Sequence, residues 1–410
     1  MFSIIRSSLF RMLFAVPILA MVSGIATAGP KAYVGNFKDN TVSVIDTLAG
    51  KVVATIPVAT GPHGMGITSD GRWLYVSGDG SSSLSVIDTA NDRVARTVEI
   101  GKTPHGVALT PDGRLLLVCI NGEDRIAFVD TGTQAVVAAV AIAKPHTIAI
   151  RPDGKVAYVA SQEPGHLALV VVDLVKRSVL RMIALDKTPR DLEFGHDGKA
   201  LYFTKAGVNA VEVLDPASDK IIAEIPTGVS PHYANFFRGT TLGMVVVQGP
   251  SELLLFDPVT NKPVRSIAVG KQPHWLAVLG DGKTAYVTNE GSNDVSVIDL
   301  ASGKTGTIAV GNQPRKVVVQ PVTPATSGVK VSIANFAFVP PVVTIAPGDS
   351  VTWSNDDGAP HAVAFKDGTP GSDTLFPGKT FQRTFDKPGN YEYFCSIHTY
   401  MTGRVVVRSQ

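Results

Sequence analysis

From Lys31 onward, apolar and polar residues alternate in short runs rich in valine and isoleucine, the period-two pattern of half-buried β-strands. One stretch reads PHGVALTPDGRLLLVCINGEDRIAFVDTGTQAVVAAVAI, four such runs broken by Asp-Gly, Asn-Gly and Thr-Gly turn signals. No helical period intervenes. Prolines at 62, 104, 145, 189, 231, 273 and 314 recur 41 to 44 residues apart, and aspartates at 46, 88, 130, 173, 215, 257 and 299 recur every 42 or 43. Both series count seven. A four-stranded antiparallel unit of this length, repeated without helices, predicts a seven-bladed β-propeller, an all-β fold.

The periodic aspartate closes runs such as VSVID and LLLFD, where a carboxylate can bond backbone N–H groups two residues on. Present in every unit, it belongs to the scaffold. The first unit opens at its second strand, Ala32 to Asn36, so Pro314 to Gln320 (PRKVVVQ) should supply its innermost strand and close the ring without open edges. Unit six is the poorest match, with FFRGTTLGMVVVQ in place of the usual Asp-Gly turn.

These repeats resemble the YVTN family of seven-bladed propellers, most closely in AYVGNFKDNTVSVIDTLAGKVVATIPV and TAYVTNEGSNDVSVIDLASGK, from about Lys31 to Pro321. Of the seven histidines in this region, five follow the periodic proline: His63, His105, His146, His232 and His274. Arg190 and Arg315 take that place in the other two units. The resemblance implies that all seven side chains surround the mouth of the central tunnel. Three readings stay open: loop residues whose imidazoles bond a neighbouring blade, a copper or zinc site of neutral imidazoles, or an anion site using the forked arginine donors.

After Gln320 the run PVTPATSG lacks periodicity and reads as a linker. Alternating strands then resume, with turns at APGDS, FPGK and DKPGN, which predicts a small β-sandwich. Its chemistry lies in YFCSIHTYM and an upstream histidine. Cys395 stands at a strand end, His398 and Met401 lie on the turn that follows, and His361 precedes them by 34 residues. A thiolate, two imidazoles and a weak thioether form the donor set of an electron-transfer copper site. The competing readings are a core thiol with incidental neighbours, and zinc, whose structural sites do not use methionine.

This segment resembles the plastocyanin and amicyanin group of cupredoxins across its length, through GDSVTW, PH, PGNYEYFC, His398 and Met401, and its short Cys-to-Met interval is closest to amicyanin. The resemblance implies one type 1 copper per chain, held by His361, Cys395, His398 and Met401, with the edge of His398 as electron port. Members of the group often carry a polar residue after the first histidine that ties the ligand loops together. Here it is Ala362, so a hydrogen bond around the site should be missing.

Arg6 and Arg11, the run MLFAVPILAMVSGIA and Ala26-Thr27-Ala28 make residues 1–28 an expected cleaved export signal, too short and too promptly followed by a cleavage pattern for a good membrane span. The mature chain is then periplasmic or secreted, without a membrane span. The 37 basic residues fall to 35 against 35 acidic ones, leaving no basic field for nucleic acid. Two cysteines are present. Cys119, inside RLLLVCI, reads as a buried hydrophobe, and a Cys119–Cys395 bridge would take a residue the copper motif needs.

The expected organisation is an export signal at 1–28, a propeller at 29–320, a linker at 321–328 and a cupredoxin at 329–410. The layout also resembles nitrous oxide reductase, but that enzyme's binuclear copper centre needs two cysteines in one loop and this loop has one, so its reaction is not expected. The preferred expectation is an exported one-electron carrier with a redox protein partner, the propeller serving as docking platform. Alternatives are a copper oxidoreductase with a second metal or substrate site at the hub, and a non-redox binding or copper-handling protein. No Ser-His-Asp set, phosphate loop or paired carboxylates favours a hydrolase or nucleotide enzyme. Assembly state is not legible.

Overall fold

Every periodic aspartate makes the turn foreseen for it. The Oδ1 atoms of Asp46, Asp88, Asp130, Asp173, Asp215, Asp257 and Asp299 accept backbone N–H groups two or three residues on, at 2.7 to 3.0 Å. Four residues after each aspartate the chain takes a left-handed turn, φ between +49° and +76°, and glycine fills that place at Gly50 and Gly303. The sharp reversal joins the third strand of a blade to its outermost one.

The structure is a computed structural model describing residues 30–237, 240–321, 329–345, 347–385 and 387–408. The expected export signal lies outside the described residues, as do 322–328 of the expected linker. Among the described residues nine four-stranded sheets are formed, seven of them blades. In the first, Pro314–Val319 pairs antiparallel with Lys31–Asn36, so the two ends of the propeller share one blade, as the offset of the first unit requires. Blade six forms with Pro231–Phe236 innermost despite its divergent turn, two residues of which are not described.

Each innermost strand packs against the next, and Pro273–Val278 against Pro314–Val319 closes the ring. The apolar sides of adjacent blades meet in cores, one holding Cys119 with Phe128 and Val159. That cysteine is a core hydrophobe, and both cysteines are free. At the hub the blades come within backbone contact: a Cβ on Gly64 would stand 2.2 Å from the carbonyl oxygen of His105, and one on Gly106 would stand 2.4 Å from that of His146.

The last two sheets run in the orders Ala337–Val339, Val329–Ala334, Ser350–Asn355, Thr380–Thr384 and Val342–Ile345, Thr402–Val407, Gly389–Phe394, Ala364–Phe365. Between them Trp353, Phe365, Phe385 and Tyr393 are buried with Cys395 and Met401, so the sandwich core reaches up to the loop between Cys395 and Met401. No helix among the described residues is long and apolar enough to cross a membrane.

Candidate metal centre

Strand Gly389–Phe394 ends one residue before Cys395, and Thr402–Val407 begins one residue after Met401. The intervening loop is pinned at its neck, where the Cys395 N–H donates to the Met401 carbonyl (3.1 Å) and the Met401 N–H to the His398 carbonyl (2.9 Å). His361 arrives from elsewhere, held by an isolated antiparallel bridge to Leu375 with reciprocal bonds of 3.0 and 2.7 Å. The three donors then converge. Cys395 Sγ stands 3.7 Å from His361 Nδ1 and 3.7 Å from His398 Nδ1, and the two nitrogens are 3.3 Å apart.

Donors bonded at about 2.0–2.3 Å to one ion in a trigonal plane stand roughly 3.5–3.7 Å apart, so this triangle fits a copper-sized ion. Among the described residues it is the one group of three such ligand types brought within range. His361 and Cys395 are fully buried, Met401 nearly so, and His398 alone of the four is half-buried. Burial, then the neighbouring His398, pushes the His361 imidazolium down, leaving a neutral ring with a lone pair to offer.

Two backbone amides, those of Ala362 and His398, donate to Cys395 Sγ at 3.4 Å each. The Ala362 main chain thus reaches the sulfur, while the side-chain hydrogen bond expected to be missing there has no donor or acceptor to make it. Asn355 adds a second tie, its amide donating to the carbonyls of Ala359 and Leu375 at 2.8 Å each.

Two residues were not foreseen. Asp357 Oδ2 lies 3.1 Å from His361 Nε2, and its carboxylate also accepts the N–H groups of Asn335 and Phe336 at 2.8 Å. An acid four positions before a ligand histidine, in SNDDGAPH, was the available signal. Phe336, at φ +56°, sets its ring edge-on to both His361 and His398, at 5.4 and 5.0 Å between centroids.

The histidine ring of the propeller assembles differently. His63 packs at a tilt against His105 (3.8 Å between centroids), His105 against His146 (4.1 Å) and His232 against His274 (4.0 Å), with His63 and His274 6.0 Å apart. The Nδ1 atoms of four of them face a neighbouring blade. Those of His105, His146 and His274 meet the carbonyls of His146, Arg190 and Arg315 at 3.0 to 3.3 Å, and that of His232 lies 3.1 Å from Asp191. Burial drives the imidazolium of His105 down to about 4 and that of His146 to about 3. The arginines are engaged too: Arg190 donates to Ser230, and Arg315 meets Glu290 and lies over the Phe37 ring.

Residues 325–408 match the family described as copper binding proteins, plastocyanin/azurin family, and residues 26–112 match YNCE-like beta-propeller. The chain is 38% identical over 84 residues to an amicyanin of Paracoccus versutus, covering 19% of this chain and 64% of that one. It is 40% identical over 84 residues to amicyanin-alpha of Methylorubrum extorquens, covering 19% of this chain and 70% of the relative. Among solved structures, a hydrazine synthase chain of Kuenenia stuttgartiensis superposes with a TM-score of 0.60 at 21% identity, covering 70% of this chain and 99% of that one, a likeness of fold alone. Type 1 copper is the cofactor of the C-terminal domain, and copper-based electron transfer is its chemistry. Through that domain the chain belongs to the plastocyanin/azurin family of copper-binding proteins, with a YNCE-like β-propeller ahead of it.

Proposed function

We propose that the protein is an exported one-electron carrier whose copper is held by His361, Cys395, His398 and Met401. The observation that carries this reading is the donor triangle with a single vertex, His398, reaching toward solvent. Bound copper supplies reversible one-electron exchange. The protein's share is to hold a thiolate and two neutral imidazoles at spacings set by strand ends, so that little need move when the charge changes. Backbone N–H groups of Ala362 and His398 hold the sulfur in place, and Met401 offers a weak fourth donor from the core side.

Electrons pass at the His398 edge in this reading. Phe336, Ile397 and Tyr400 are exposed around the loop, at 44%, 44% and 70%, an apolar collar suited to brief docking of a redox protein. The propeller serves as a docking platform, and its histidine rim acts as a staple between blades, because the imidazole Nδ1 atoms bond neighbouring blades. Export rests on residues 1–28 and places the mature chain in the periplasm or outside the cell.

The test is metal content with optical and paramagnetic spectra. One copper per chain, with intense visible absorption that Cys395→Ser abolishes, supports the assignment. A colourless copper-loaded protein without the signal of a mononuclear cupric centre overturns it.

A further inference from the structure

The seven innermost strands of the propeller repeat one pattern, yet the positions two and four residues after the periodic proline do not carry equivalent chemistry around the ring. In blades three and four they are Gly106, Ala108, Thr147 and Ala149. In blades five, six, seven and one they include Asp191 and Glu193, Tyr233 and Asn235, Trp275, and Lys316. All ten residues line one cavity of about 380 Å³ within the ring of innermost strands. Scaffold needs recur in every blade, as the turn aspartates do. This chemistry occurs once, on one side of a tunnel whose other side carries small, uncharged residues.

The polar groups form an arc with carboxylates at one end and an ammonium at the other. At one end the Glu193 carboxylate accepts from the Tyr233 hydroxyl at 3.1 Å and from the Asn235 amide at 3.5 Å, and the buried Asp191, two residues before it, lies 3.1 Å from His232 Nδ1. The Tyr233 ring then stacks flat on Trp275, centroids 3.5 Å apart at 12°. At the other end the Lys316 ammonium lies 4.0 Å over the Trp275 ring and has no hydrogen bond or ion pair among the described residues. Burial pushes Glu193 up to about 7 and pulls Lys316 down to about 8, while the opposite charge of the other group across the cavity partly offsets each shift.

We infer that this chamber binds a small zwitterion carrying an ammonium and a carboxylate. Its carboxylate pairs with Lys316, its ammonium with Glu193 and Asp191, and its carbon chain lies along the Tyr233–Trp275 face. A cation alone would leave Lys316 without an acceptor, and an anion alone would face two carboxylates. The volume is in the range of small-ligand sites, about 300–1,000 Å³. The site is lined by propeller residues alone, none of them among the proposed copper ligands.

The experiment titrates the full-length, copper-loaded protein with glycine, β-alanine, 4-aminobutyrate and 6-aminohexanoate, following Trp275 fluorescence and heat. Butylammonium and butyrate serve as single-charge controls. Saturable binding of at least one zwitterion is expected, with both controls weaker by about tenfold or more, the size of one lost charge-assisted hydrogen bond. Glu193→Gln and Lys316→Met should each weaken it by a similar factor, Lys316→Arg less, with circular dichroism and the visible copper band unchanged. Absence of binding across the series overturns the inference, as does equal binding of butylammonium, a comparison that needs no variant to fold.

Discussion

The carboxylate of Asp357 and the outer ring nitrogen of His361 meet at 3.1 Å, on the far side of the imidazole from Cys395. The same carboxylate holds the backbone N–H groups of Asn335 and Phe336, so one side chain sets both the ring of a proposed ligand and the loop that lies over it. A metal-bound imidazole oriented by a carboxylate is a stiffer and more basic donor. Asp357→Asn keeps the shape but removes the charge and one acceptor. Copper affinity should fall by about 10- to 100-fold and the reduction potential should rise, because the cupric state loses a nearby negative charge. Chelator competition and voltammetry read both quantities, and wild-type values in the variant would refute the role.

Period and turn chemistry are local properties, and they made the seven blades, the shared first blade and the Cys395 loop legible before any coordinates. Contacts made by backbone atoms, or between distant segments, were not. Ala362 looked like a lost tie because its side chain is mute, yet its N–H reaches the sulfur. Asp357 gains its role only when the turn carrying Asn335 and Phe336 is placed beside it. Likewise the sequence shows five histidines and two arginines at one repeat position, but the outcome depends on which way each Nδ1 turns. It turns to the next blade at His105, His146 and His274.

The collar around His398 offers a prediction about docking. Phe336 touches both imidazoles edge-on and remains 44% exposed, so its ring spans the path from metal loop to surface. Phe336→Ala should leave the visible spectrum nearly unchanged while slowing bimolecular electron exchange with a redox protein by about fivefold to tenfold, the cost of losing one aromatic anchor at a small interface. Stopped-flow mixing measures this rate. An unchanged rate would place the port elsewhere.

Hub packing gives a prediction confined to the propeller. A Cβ added at Gly106 would stand 2.4 Å from the His146 carbonyl oxygen and 2.9 Å from the Thr147 Cα, both backbone atoms that cannot swing aside. Gly106→Ala should therefore force blades three and four apart and destabilise the propeller by about 1–3 kcal/mol. In calorimetry its transition should fall by several degrees, while the copper band of the second domain keeps its intensity. A propeller transition at the wild-type temperature would mean that the blades separate freely at this point.

Acid should loosen the same hub. Burial holds His63, His105, His146 and His274 below their ordinary value of 6.5, His105 near 4 and His146 near 3. Once the chain unfolds these rings accept protons at the ordinary value, so the unfolded state binds more protons throughout the interval. Stability is complete above about pH 6.5 and declines as pH falls toward 4, by about 1.4 kcal/mol per pH unit for each ring. Glu193 acts in the opposite sense, since its folded value near 7 lies above the ordinary 4.5, and it offsets one histidine at most. Turn carboxylates such as Asp88 and Asp130, held low by backbone N–H groups, stay ionised in the folded state across this interval. The propeller transition should thus fall steeply between pH 6.5 and 4.5. His105→Asn, whose amide can still donate to the His146 carbonyl, should reduce the slope by one proton. A transition temperature independent of pH in that range would show that the rings are charged in the folded hub.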